Sequence, residues 1–201
     1  MRFSSLDRVL LLLTVLLASY QVSAGIDGFG TLPIVAYTIA FGVLLVAALL
    51  IFILGMEVLD SPVVVIVSTI IPLSLAVGLV WQHLASLRTS YLVFAIIGFL
   101  AVTLTRTIQI PGKSPTFVLA ITHGIAGMTI FLLPIILSIQ GAVKPLFSLV
   151  GVGGALIGIG GLFLSFLKTG KPILSRGMIM RLFPMLLLLT TALFVAGFKF
   201  G

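Results

Sequence analysis

The sequence predicts an all-α fold, a polytopic bundle of seven transmembrane helices, and three observations carry that prediction. Hydrophobic residues make up 61% of the chain against 7% charged, and the mean hydropathy is +1.41, far from the globular norm. Apolar runs of ~20 residues, the length an α-helix needs to cross ~30 Å of hydrocarbon, recur along the chain. The four carboxylates, Asp7, Asp27, Glu57 and Asp60, all lie before or between those runs. Helices are the required form, because lipid offers no partner to an exposed backbone group.

The first run, Val9–Ala24, follows Arg2 and Arg8 and ends in Val22, Ser23 and Ala24 before Gly25. A basic start, a Leu-rich stretch and small closing residues also mark a secretory signal. Cleavage would leave six spans. Retention of residues 1–24 as a first span or uncleaved signal anchor is the favoured reading. The next runs are Leu32–Leu54, Pro62–Leu84, Ser90–Thr105, Pro115–Ile139, Pro145–Leu167 and Met178–Phe198. Proline opens three of them, at Pro62, Pro115 and Pro145, where its missing N–H costs nothing. Pro72, Pro134 and Pro184 fall inside runs and predict kinks. Trp81, Gln82 and His83 close the third run as an interfacial anchor, and Tyr20 and Tyr91 fit the same belt.

Counting cations on alternate sides sets the direction. With the N-terminus in the cytoplasm, Arg2, Arg8, Arg106, Lys113, Lys168, Lys171, Arg176 and Arg181 face inward, and Arg88, Lys144 and Lys199 face outward. That excess predicts a cell-membrane protein with its N-terminus cytoplasmic and its C-terminus on the opposite side. The formal charge of +7 then records topology and contact with the bilayer, with no role in nucleic-acid binding. Lys168, Lys171, Arg176 and Arg181 form a loop basic enough to meet anionic lipid headgroups.

The whole chain, residues 1–201, reads as one membrane domain. Residues 32–106 and 115–198 are weakly alike: Pro33 and Gly42 recur as Pro115 and Gly124, and Pro62, Gly78 and Leu79 as Pro145, Gly161 and Leu162. Three-span copies would have opposite orientation, the 3+3 inverted repeat of many transporters. Chance is the alternative, since proline at span starts and glycine within spans are common.

The sixth run carries the strongest packing signal: Gly151, Gly153, Gly154, Gly158, Gly160 and Gly161. Gly151, Gly154, Gly158 and Gly161 are candidate helix-packing residues, because absent side chains let a neighbouring backbone approach closely. That neighbour is either another chain or a helix of the same bundle, the latter slightly favoured. A nucleotide-binding glycine loop is excluded, since no strand precedes these residues and no acidic residue follows.

His123, inside the fifth run between Thr122 and Gly124, is the candidate ligand. A membrane-interior histidine is costly and a functional candidate by default, and Gly124 and Gly127 leave room for a flat ring such as haem or chlorophyll. The favoured alternative is a neutral histidine hydrogen-bonded within the bundle. His83 ends the third run at the far interface, so depth argues against joint ligation of one haem. Zero cysteines exclude thiolate sites. Acid-free spans exclude prenyltransfer and phosphotransfer through metal-bound pyrophosphate, and no G-x-S-x-G accompanies the histidines. The expected protein is a non-catalytic subunit or scaffold of a larger membrane complex, with tetrapyrrole binding conceivable but not favoured. The alternative is a small transporter or channel for a neutral solute.

Overall fold

The structure, a computed structural model, describes residues 3–26, 28–108, 112–168, 170 and 173–201. Among them are seven long helices and no strand: α1 (Ser5–Ala24), α2 (Thr31–Leu54), α3 (Pro62–His83), α4 (Arg88–Thr107), α5 (Ser114–Ile139), α6 (Ser148–Lys168) and α7 (Arg176–Phe200). All seven are long and apolar enough to cross a membrane, the build of a multi-pass membrane protein.

Capping chemistry explains where the helices start. α1 begins four residues before its apolar run because Ser4 and Asp7 form a capping box, with Asp7 N donating to Ser4 Oγ at 3.1 Å and Ser4 N to Asp7 Oδ2 at 2.9 Å. Two orphan N–H groups are thereby satisfied, and α1 reaches 20 residues. Ser175 caps α7 in the same manner, accepting from Met178 N. Pro62 sits at the first turn of α3 and Pro115 at that of α5. Pro145 opens the sixth span, Pro145–Leu167, as expected; its first residues, Pro145–Phe147, form a 3-10 turn and the α-helix starts at Ser148.

Short connections make consecutive helices antiparallel neighbours. Six helices close a ring in the order α1, α2, α3, α5, α6, α7, and α4 lies outside it against α3 and α5. The N-terminal rim of the bundle holds the starts of α1, α3, α5 and α7. The C-terminal rim holds their ends. Within the two three-helix halves consecutive helices pack alike, while between the halves α5 packs on α3 and α1 stands between α2 and α7.

Aromatic rings fill the ring of helices near the C-terminal rim. Tyr37 and Phe41 of α2 meet Phe194 and Phe198 of α7, with the Tyr37 and Phe198 centroids 4.5 Å apart. Phe147 adds an edge contact to Phe198 at 5.9 Å. The space bounded by Ala40, Phe41, Leu44, Ile71, Leu75 and Phe194 has no room for a water molecule. The axis is closed.

Candidate functional site

α6 carries its glycines on two different kinds of surface. A β-carbon at Gly151 would lie 2.5 Å from the Phe131 carbonyl oxygen of α5, and one at Gly154 would lie 2.8 Å from Ile130 Cγ2. At Gly153 it would meet the Phe194 ring of α7 at 2.9 Å. These three glycines hold α5 and α7 at backbone contact distance. Gly158 and Gly161 are exposed, and a β-carbon at either would have no described neighbour within 4 Å. The expected row of Gly151, Gly154, Gly158 and Gly161 is therefore split, its first half turned into the bundle and its second half open.

His123 lies half-buried on α5. Its Nδ1 is 3.2 Å from the Leu119 carbonyl oxygen one turn back. Only a protonated nitrogen donates to a carbonyl, so this contact places the proton on Nδ1 and leaves Nε2 as the lone-pair face. Thr122 beside it is buried against Gly98 of α4, where a β-carbon would meet Thr122 Cγ2 at 3.0 Å. Gly124 and Gly127 have open flanks. The geometry suits a histidine satisfied by its own helix, and it equally leaves one nitrogen for a ligand. No group of three His, Cys, Asp or Glu side chains able to hold a metal occurs among the described residues.

His83 is at the other rim. Its ring packs on Phe147 with centroids 5.4 Å apart, and its Nε2 is buried without a partner among the described residues. Trp81 is tied to α4: Arg88 Nε donates to the Trp81 carbonyl oxygen at 2.6 Å, and the guanidinium carbon lies 5.8 Å from the indole centroid. The attraction of a cation to an indole face strengthens in poorly hydrated surroundings. Lys199 hydrogen-bonds Tyr20 at the same rim and stands 4.7 Å from its ring centroid.

At the N-terminal rim, Arg176 pairs with Asp60 at 3.1 Å, which joins the start of α7 to the turn between α2 and α3. Arg181 is exposed. Arg2, Asp27, Lys171 and the Lys168 side chain lie outside the described residues.

The hydroxyls inside the spans are mostly turned onto their own helices. Thr14, Thr69, Thr103, Thr129 and Thr191 each donate to the carbonyl four residues back, at 2.8–2.9 Å. Such bonding satisfies a hydroxyl locally and offers little to a polar path. Tyr91, in the first turn of α4, is an exception: its hydroxyl donates to Thr129 Oγ1 at 3.0 Å, linking α4 to α5. Tyr37 is one of the polar groups that the sequence places at membrane depth, able to hydrogen-bond between helices or to line a narrow neutral path. It is fully buried, and its hydroxyl has no partner among the described residues. Only its six-residue distance from the start of α2 hints at burial, and a tyrosine at that depth reads equally well as a lining group.

Compared with known proteins, the chain matches no family model, no curated protein and no solved structure.

Proposed function

We propose that this protein is a non-catalytic integral membrane subunit or scaffold that docks other membrane chains through α6. The observation that carries this reading is the open pair Gly158 and Gly161, which continue the line of glycines that α5 and α7 fill nearer the C-terminal rim. Glycine is a poor helix former by ~1 kcal/mol relative to alanine, and a β-carbon at either residue would meet no described neighbour within 4 Å. A helix of another chain, or of a second copy, would gain close backbone approach there. The filled axis and the back-bonded threonines count against the alternative of a conduit for a neutral solute.

The proposed placement is a cell membrane, with α1 retained, the N-terminal rim cytoplasmic and the C-terminus on the opposite side. The cation excess supports the direction. Retention of α1 is supported by its packing between α2 and α7, where Leu11 and Ala18 are fully buried. Reporter domains active on one side only, fused after Lys199 and within the loop before Arg176, should report opposite sides. A cytoplasmic C-terminus would overturn this direction.

The docking face is tested by purifying the wild type and Gly158→Leu in mild detergent, with co-purifying chains, size and thermal stability read together. The variant should keep its stability and lose its partner or its dimer. A stable variant that keeps every partner would assign these glycines to lipid and end the subunit reading. A visible spectrum of the same preparation decides the cofactor question: a tetrapyrrole band should vanish in His123→Ala and survive His83→Ala. A colourless preparation leaves His123 a packing residue.

A further inference from the structure

We infer that the cleft between α2, α3 and α4 binds one acyl chain of an anionic lipid, with the lipid headgroup held at Arg88. The cleft exists because α4 packs on α3 and α5 and stands off from α2. α3 forms its floor, and α2 and α4 its two walls. Its volume is about 390 Å³, inside the ~300–1,000 Å³ range of ligand sites. Of the side chains that line it, Ser74 alone is polar, so the interior suits a hydrocarbon chain and rejects a hydrated solute. From Leu92 to Leu100 the α4 wall runs ~12 Å, close to the ~15 Å depth of a single leaflet. The cleft thus has the length of one lipid tail.

Charge at one end selects the headgroup. Residues four apart share a helix face, so the floor continues from Val77 to Trp81 and the α4 wall from Leu92 to Arg88. At that mouth the bond from Nε to the Trp81 carbonyl fixes the guanidinium, and no carboxylate pairs with it among the described residues. α2 begins beside the same mouth with Leu32 in the cleft wall and no side-chain cap on its first turn. Its free N–H groups and dipole add positive potential there. An apolar slot that ends in a cation with no carboxylate partner among the described residues is complementary to an amphiphile with a negative head. The inference requires the chain to lie in a bilayer and is independent of the subunit reading, which concerns the glycines of α6.

Trp81 is the only tryptophan in the chain and reports on this mouth directly. The full chain is reconstituted into phosphatidylcholine vesicles that carry a rising fraction of lipid brominated on its acyl chain, either phosphatidylglycerol or phosphatidylcholine. Brominated phosphatidylglycerol should quench Trp81 at about fivefold lower fraction than brominated phosphatidylcholine, the advantage of roughly one cation at an anionic headgroup. Arg88→Gln should abolish that preference and Arg88→Lys should retain it. Ser74→Phe, which fills the floor, should weaken quenching by both lipids. Equal quenching by the two lipids would reduce the cleft to ordinary lipid contact and overturn the proposal. So would an undiminished preference in Arg88→Gln, or an absence of quenching by either lipid, the result expected if a second copy fills the cleft.

Discussion

The two halves of α6 carry three glycines each, in different surroundings. Toward the C-terminal rim, Gly151, Gly153 and Gly154 are buried against α5 and α7. Toward the N-terminal rim, Gly160 is buried beside Leu186, while Gly158 and Gly161 are exposed and a β-carbon at either would meet no described neighbour within 4 Å. The tilted and edge-on rings of Tyr37, Phe147 and Phe198 also lie near the C-terminal rim. An exposed ion pair, Arg176 with Asp60, bridges the other end. In lipid, glycine marks where a backbone can come close. Whether one does come close is decided by the neighbouring helix, and a spacing motif alone does not contain that information.

Breaking the contrast at its strongest point gives the largest effect. Gly151→Leu would drive a side chain into the Phe131 carbonyl and Ile135, and backbone cannot move aside as a flexible side chain can. Overpacking of this kind costs ~1–3 kcal/mol and sometimes more, so a loss of at least that size is expected in detergent melting. Gly158→Leu, seven residues along the same helix, should stay within ~0.5 kcal/mol of wild type, as surface changes do. Equal losses in the two variants would show that the inner half of α6 is packed after all.

Tyr37 sharpens the comparison from inside the tightly packed half. Its ring is held by Phe29 at 5.6 Å and Phe198 at 4.5 Å and lies against Gly78, yet its hydroxyl has no described partner. A buried unsatisfied polar group costs ~1–3 kcal/mol. Tyr37→Phe keeps the ring packing and removes that cost, so melting should rise by ~1 kcal/mol. A fall of similar size would mean that the hydroxyl is bonded to a bound water or polar ligand, and would turn this part of the core into a candidate site.

Hydropathy and proline punctuation made the seven spans legible, because both act locally and do not depend on the partner helix. The true start of α1 was not, since Ser4 and Asp7 lie outside the apolar run and contribute through hydrogen bonds that no hydropathy window weighs. The 3-10 turn with which Pro145 opens its span was not legible either, since proline tolerates the first turn of either an α- or a 3-10 helix. The order of the ring was hidden as well. Contact between α3 and α5, with α4 displaced outward, depends on which faces fit together. Of the candidate site, His123 stood out because intramembrane histidines are rare and costly. The split of the glycine row and the Tyr91–Thr129 bond needed coordinates, for each joins residues on different helices.

The smallest expected effect tests the loosely held end. Arg176 and Asp60 are 62% and 56% exposed, so water screens their attraction, and ordering two mobile side chains offsets much of the remainder. Exposed pairs of this kind contribute ~0–1 kcal/mol. Arg176→Gln should therefore lower thermal stability by less than ~1 kcal/mol. The difference from wild type should shrink further as salt is raised, because the Debye length falls from ~10 Å at 0.1 M to ~3 Å at 1 M. This variant leaves Asp60 in place with its other interactions, so the measurement isolates the Arg176–Asp60 bond. A loss of several kcal/mol that persists at high salt would mean that the N-terminal rim is held as firmly as the aromatic end. The open glycines of α6 would then be a local gap beside a firmly held rim, and the case for a docking face there would rest on those glycines alone.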